Sequence, residues 1–234
     1  MSNSTADEYS SQAGDSSRLL DDLRDETPAA AGSARAVTTD WTRDAADRLL
    51  AGGYQEVPAG LSERNARAFR RRDFRLRWFA TTLHTFVVLA EAPTAAGLGR
   101  YSDDAARWAK GAKGGLPRGM QTGIAVLPVL VVASADDEAR LEAGRRPEKD
   151  FGAVRLPLLV EPGPGAVSTY SGTMLWGMIY TDFLSEQQRL LAGDLPLDAL
   201  QAGGERRGLR WAAVGSIAGA LVALVLVLAV LLLR

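Results

Sequence analysis

The segment Trp211–Leu233 constrains this chain most, because nearly every residue in it is apolar. As a helix rising 1.5 Å per residue it would extend ~34 Å, which exceeds the ~30 Å hydrocarbon core of a bilayer. Thirteen of its residues are Leu, Val or Ile, and together they favour insertion by roughly 4–8 kcal/mol. A buried helix of a globular domain would be shorter or would carry a polar face. We therefore predict a transmembrane helix over 211–233.

The charges around this segment predict its orientation. Arg206, Arg207 and Arg210 precede it, whereas only Arg234 follows it. The positive-inside rule then places the preceding domain in the cytoplasm and these three arginines near anionic lipid. The chain has 24 Arg and three Lys, a bias typical of GC-rich bacterial genomes, so we expect the bacterial inner membrane. Residues 1–36 lack the apolar stretch of a signal peptide, which predicts a single-pass, tail-anchored protein.

Small residues recur at helical spacing within the predicted span. Gly215 and Gly219 form a G-x-x-x-G pattern, and Ala223 extends it by another turn. Small residues four apart let two helix backbones approach closely, which predicts a homodimer through the transmembrane helix. The alternative is that Gly and Ala are simply abundant throughout this chain.

Composition divides the rest of the chain into three parts. Residues 1–36 carry seven acids against three Arg and few apolar side chains, so we predict a disordered leader. Residues 37–192 are long enough to bury a single core and are predicted to form one cytoplasmic domain. Residues 193–210, which contain Gly203 and Gly204, are predicted to be a flexible linker to the membrane.

Helical and strand patterns alternate along 37–192, which predicts an α/β fold with a single mixed sheet and flanking helices. Helices are predicted over 39–51, 62–72, 102–113, 134–143 and 173–191, the last with an alternative start at Ser185. Strands are predicted over 74–90, 124–133, 153–160 and 166–170, the first folded as a hairpin near Thr81 and Thr82. Because a helix joins the two buried strands 124–133 and 153–160, we expect them to be parallel. Pro128 and Pro157 predict a bulge or a local edge there.

Seven arginines between positions 64 and 77 are the most conspicuous polar feature. On the predicted helix 62–72, Arg64, Arg67 and Arg71 share one face. This face is a candidate contact for lipid headgroups, for an acidic patch of a protein or for a nucleic-acid backbone, and the alternative is an ordinary solvated surface. The formal net charge of −1 and the predicted tether favour the lipid bilayer as partner over nucleic acid.

Candidate catalytic residues are few. Glu91 and Glu161 each follow a predicted strand, where sheet enzymes often place catalytic groups, and they are the best candidates. His84 is the only histidine and there is no cysteine, so we predict neither a metal site nor a cofactor and interpret His84 as structural. The element order resembles that of restriction-endonuclease-like cores. That resemblance implies an acid followed by Glu-x-Lys, which is absent from this sequence, so it does not support nuclease activity.

These features favour a tail-anchored membrane protein whose cytoplasmic α/β domain is a binding or scaffold module for a protein partner that the sequence does not identify. The first alternative is a membrane-tethered hydrolase or degenerate nuclease-like enzyme that uses Glu91 and Glu161. The second alternative is a sensor of a small ligand.

Overall fold

The computed structural model describes residues 28–61, 66–78, 80–114, 122–148, 150, 152–172 and 178–198. Within these ranges, no helix is both long and apolar enough to cross a bilayer. The predicted transmembrane helix 211–233 is not among the described residues. The same is true of these predicted contact and packing residues: Arg64, Arg206, Arg207, Arg210, Gly215, Gly219 and Ala223.

Four α-helices and eight strands are described. The helices are α1 (Pro28–Ala51), α2 (Leu98–Ala112), α3 (Asp137–Ala143) and α4 (Thr181–Ala192). The strands are β1 (Gln55–Val57), β2 (Arg67–Arg75), β3 (Thr81–Glu91), β4 (Thr122–Val131), β5 (Ala153–Arg155), β6 (Leu158–Glu161), β7 (Ala166–Thr169) and β8 (Leu197–Asp198).

All eight strands belong to one mixed sheet with the order β1-β2-β3-β4-β6-β7-β8. β5 and β6 pair with successive parts of β4, so the sheet is seven strands wide. β3, β4, β5 and β6 are parallel, while β2 runs antiparallel to β1 and β3, and β7 runs antiparallel to β6. The predicted α/β class with one mixed sheet and flanking helices is therefore confirmed for the domain.

Helices cover both faces of the sheet. Buried side chains of α1 and α4 pack on one face, which we call the α1/α4 face. Those of α2 and α3 pack on the other, the α2/α3 face. The helices α2 and α3 connect the parallel strands, and both lie on the α2/α3 face. Each new parallel strand is therefore added to the sheet in the same direction. The sheet thus lacks, at these strands, the change of direction that opens a ligand crevice in many α/β proteins.

The central strand-helix-strand unit forms as the sequence predicts. The apolar run 124–133 forms β4, and a short helix, α3, follows it. Asp136 caps α3 by accepting a hydrogen bond from the backbone N–H of Ala139 at 2.8 Å. The predicted strand 153–160 is interrupted at Leu156 and Pro157, which separate β5 from β6. The carbonyl of Pro157 instead accepts a hydrogen bond from Thr169 Oγ1 at 2.9 Å.

The helix predicted over 62–72 is wrong. Residues 67–75 form β2, which pairs antiparallel with β3 along its whole length, from Arg67 opposite Leu89 to Arg75 opposite Thr81. The connection between the strands lies at 76–80, earlier than the predicted turn at Thr81 and Thr82. Arginine favours a helix in isolation, but the long pairing with a buried central strand outweighs this weak local preference.

Two described elements extend outside the range 37–192. α1 begins at Pro28, inside the predicted leader, and Thr39 lies within this helix and does not cap it. At the other end, β8 lies in the predicted linker and pairs with β7. The helix predicted over 173–191 is described from a 3₁₀ turn at Met178–Tyr180 that leads into α4, so its alternative start at Ser185 is wrong.

Candidate functional site

The arginines of β2 alternate between the two faces of the sheet, because successive side chains of a strand point to opposite sides. Arg67, Arg71 and Arg75 share the α1/α4 face with the buried Phe69. Arg67 donates from Nε and Nη2 to the two carboxylate oxygens of Glu56, at 2.8 and 2.9 Å. This bidentate pair, which ties β2 to β1, lowers the pKa of Glu56.

Arg71 and Arg75 pack further into the same layer. Arg71 donates to Asp73 Oδ1 at 2.7 Å and to the carbonyl of Gly52 at 3.0 Å. Its guanidinium carbon lies 5.5 Å from the ring centre of Phe183, and that of Arg75 lies 5.1 Å from the same ring. These are cation–π distances. Arg67, Arg71 and Arg75, which we call the engaged arginines, therefore have partners within the fold.

A second set of cations lies on the α2/α3 face. Arg72 is directly opposite His84 in the sheet, and Arg70 is opposite Phe86, two residues further along β3. Lys113, the C-cap residue of α2, is 7% exposed and adds a third cation near His84. We call Arg70, Arg72, His84 and Lys113 the basic face. Within the described part of the chain, neither Arg70 nor Arg72 forms an ion pair with a carboxylate.

His84 reports the electrostatics of the basic face. Partial burial lowers the pKa of its imidazole, and the positive charges of Lys113, Arg72 and Arg70 lower this pKa further. Its Nδ1 atom is buried and has no hydrogen-bond partner among the described residues. The cations near His84 create a positive potential there, and this potential would stabilise a bound anion.

α2 packs over the central strands of the α2/α3 face. Trp108 of α2 packs edge-on against Phe86 with ring centres 5.6 Å apart, and Gly60 fits against the same indole. The helix therefore covers β3 and β4, whereas on β2, which lies between β1 and β3, Arg72 is exposed and Arg70 is half-buried. The glycine-rich stretch after Lys113 is described only at Gly114, Thr122 and Gly123.

Glu91 and Glu161, the two acids proposed for catalysis, end parallel strands but point to opposite faces of the sheet. Glu91 is in register with Val131, which belongs to the core of the α1/α4 face, and Glu91 Oε2 accepts a hydrogen bond from Thr39 of α1 at 3.1 Å. Glu161 follows Val160 of that same core and therefore points to the α2/α3 face. The sheet itself separates the two carboxylates, so they do not form a paired acid site.

Glu161 is held by α3. It is 1% exposed and accepts two hydrogen bonds from Arg140, from Nε and Nη2, each at 2.9 Å. The backbone N–H of Ala135 donates a third at 2.8 Å. These contacts, above all those from Arg140, lower the pKa of Glu161. A carboxylate with these partners fixes the start of α3 against the sheet and is a poor proton acceptor.

A cavity of about 290 Å³ lies between α2 and β5 on the α2/α3 face. Its charged side chains have ion-pair partners: Arg155 pairs with Asp103 and Glu148, Lys110 pairs with Asp150, and Arg107 pairs with Asp104. Burial lowers the pKa of Arg155. The cavity is therefore polar and electrostatically compensated, in contrast to the basic face.

The described ranges contain no group of three or more acids and histidines placed to hold a metal ion. The sequence prediction assigned lipid or anion contact to Arg64, Arg67 and Arg71, but Arg67 and Arg71 are engaged arginines. Sequence reasoning did not single out Arg70 and Arg72, although alternation of period two across 67–75 would have placed them on one face. No protein-family model, no curated protein and no solved structure matches this chain.

Proposed function

We propose that this chain is a membrane-anchored binding module. In this proposal the segment 211–233 holds the α/β domain at the cytoplasmic side of the inner membrane, and the basic face binds a phosphate-bearing anion. The observation that carries the proposal is the pair Arg70 and Arg72, which flank His84 without a carboxylate partner within the described residues.

The chemistry of the basic face suits a phosphate group. A guanidinium offers a planar fork of donors to two phosphate oxygens, and an ammonium adds a point charge. The imidazole of His84 has one N–H donor when it is neutral and two when it is protonated. A dianion close to these groups would raise the pKa of His84 back towards its ordinary value, so binding and protonation of His84 would be coupled.

Membrane anchoring supports a binding role, because a tether raises the effective concentration of a weak site for ligands at the bilayer. The hydrolase alternative is less well supported, since Glu91 and Glu161 would have to act from opposite faces of the sheet. The sensor alternative differs from the present proposal only in whether binding is signalled to a partner.

Membrane fractionation tests the anchor. We expect the full chain to stay in the membrane pellet after alkaline carbonate washing. The double variant Leu224→Arg/Val225→Arg should move to the supernatant, because each arginine at the centre of a span disfavours insertion by about 2.5–3.5 kcal/mol. Leu224→Ala/Val225→Ala is the matched control and should stay in the pellet. Recovery of the unmodified chain in the supernatant would contradict the anchor.

Titration with tripolyphosphate tests the basic face. Because His84 is the only histidine, its imidazole NMR signals are unambiguous in the full chain held in an uncharged detergent. We expect a saturable shift of these signals and a rise in the pKa of His84. Arg70→Gln/Arg72→Gln should weaken binding at least about tenfold, equivalent to ~1.4 kcal/mol.

The matched control for this titration is Arg43→Gln, which removes an equally positive but exposed arginine that is paired with Asp40 on α1. It should leave the affinity for tripolyphosphate unchanged. If the double variant binds as tightly as the unmodified chain, the basic face is not the anion site.

A further inference from the structure

The two most exposed large apolar side chains of the described residues lie next to one another at the end of the β2–β3 hairpin. Leu76 is 78% exposed and Phe74 is 59% exposed. Exposed apolar side chains that cluster mark contact sites more often than apolar side chains that are exposed singly. We call Phe74 and Leu76 the hairpin tip.

Leu76 is the first residue of a 3₁₀ turn, Leu76–Trp78, and the last residue of this turn, Trp78, supports the hairpin tip from the core. Trp78 is 1% exposed and packs edge-on against Tyr180 and Phe183, with ring centres 5.1 and 5.3 Å apart. The indole thus anchors the turn in the core, while Leu76, two residues earlier, is exposed.

Positive charge lies behind the hairpin tip on one face of the sheet. Arg72 lies two residues before Phe74 in β2 and belongs to the basic face on the same side of the sheet as Phe74. The acid of this stretch, Asp73, is directed to the other face, where it accepts a hydrogen bond from Arg71. An apolar tip with arginines behind it is complementary to an anionic bilayer, whose acyl chains lie beneath a layer of phosphate groups.

We propose that the β2–β3 hairpin is a lipid-contact element: Phe74 and Leu76 insert below the headgroups of an anionic bilayer while Arg70 and Arg72 bind lipid phosphates. This inference rests on the proposed function and names the lipid phosphate as the ligand of the basic face. The residues 199–210 between β8 and the apolar segment span at most ~40 Å when extended. That reach is comparable to the diameter of a domain of this size, so the tether permits the hairpin to meet the membrane.

The absence of cysteine makes the proposal directly testable, because a single introduced cysteine can be labelled uniquely. The full-length Leu76→Cys protein carries an environment-sensitive fluorophore and is reconstituted into vesicles of phosphatidylcholine with 30% phosphatidylglycerol. We expect a blue-shifted emission that is quenched by lipids bearing a spin label on the acyl chain. Leu141→Cys is the matched control: Leu141 is an exposed leucine of α3, and its label should stay in water.

Two further arms separate the contributions. In vesicles of phosphatidylcholine alone, quenching of the label at position 76 should fall several-fold, because the arginines then lack anionic lipid. Arg70→Gln/Arg72→Gln in the Leu76→Cys background should cause a similar loss in anionic vesicles. Arg43→Gln in that background should cause none.

Equal quenching at positions 76 and 141 overturns the proposal. A blue shift at position 76 without quenching by acyl-chain labels also overturns it, and indicates a protein surface, such as a second copy, over the tip. If the label at position 76 is not quenched but tripolyphosphate still binds, the lipid-contact element is overturned and the anion-binding module stands. If tripolyphosphate does not bind either, the proposed function is overturned as well.

Discussion

The two faces of β2 carry the same residue type in opposite circumstances. On the α1/α4 face, Arg67 and Arg71 have carboxylate partners and Arg71 and Arg75 lie over buried aromatic rings. On the α2/α3 face, Arg70 and Arg72 face a partly buried histidine and a lysine. A single strand of nine residues thus combines arginines that have partners within the fold with arginines that have no carboxylate partner among the described residues.

The difference teaches that the count of charges in a segment says little about its role. What decides the role is whether each cation finds its counter-charge within the fold. Desolvated and hydrogen-bonded arginines stabilise the domain, and removing one leaves a buried partner unsatisfied. Arginines close to other cations contribute little to stability and raise the local positive potential, which favours an anion.

The largest effect on stability is expected for Arg71→Ala. It removes the hydrogen bonds to Gly52 and Asp73 and the contact with Phe183, and it leaves the carboxylate of Asp73, whose side chain is 11% exposed, without its cation. We expect the free energy of unfolding to fall by about 2–3 kcal/mol. Urea unfolding of the full chain in mild detergent, followed by tryptophan fluorescence, measures this change.

Arg72→Ala is the matched variant on the opposite face of the same strand. It should change the free energy of unfolding by no more than about 0.5 kcal/mol, as for an exposed side chain without a partner. Equal losses for Arg71→Ala and Arg72→Ala would break the distinction between the two faces.

A slightly smaller loss of stability is expected for the acids at the carboxyl ends of the parallel strands. Here too, a buried carboxylate with partners can be compared with an exposed one. Glu161→Gln replaces a buried carboxylate that accepts hydrogen bonds from Arg140 and Ala135, so we expect a loss of about 2 kcal/mol. Glu91→Gln, whose described contact is an exposed one to Thr39, should cost no more than about 0.5 kcal/mol. Thermal unfolding measures both, and a larger loss for Glu91→Gln would contradict this assignment.

The smallest effect is the pH dependence set by His84. Since folding lowers the pKa of His84, the unfolded chain binds a proton more readily than the folded chain. The free energy of unfolding should therefore fall as the pH drops through about 6.5, and level off below the pKa of the folded state. Glu56 and Glu161, whose pKa values are lowered from 4.5, lose their stabilisation only at lower pH and do not obscure this window.

Arg72→Gln sharpens the last prediction, because it removes one of the charges that lower the pKa of His84. Its pH profile should be flatter between pH 7 and 5, and NMR titration should show a higher pKa for His84. Arg43→Gln should reproduce the unmodified profile. A profile for Arg72→Gln that is as steep as that of the unmodified chain would show that Arg72 does not act on the imidazole.

The sequence predicted the centre of the sheet well and its borders poorly. The apolar runs that form β4 and β6 admit few other structures, and the helix between them fixes their parallel pairing. Most of β2 was predicted as a helix because local propensity contains no information about a partner strand. The two-residue strand β8 was missed because it depends on pairing with β7, and the start of α1 at Pro28 was missed because the composition of 1–36 indicated a disordered leader.

Some features of the candidate site were likewise predicted from the sequence, and others were not. The sequence by itself determined that arginines cluster between positions 64 and 77, that acids follow the parallel strands, and that an apolar segment of membrane-spanning length lies at 211–233. Only the tertiary structure decided which arginines meet Glu56 and Asp73, which meet His84, and that Glu91 and Glu161 lie on opposite faces. The physical reason is that side-chain charge is a property of the residue, whereas its compensation depends on neighbours that folding brings from elsewhere in the chain.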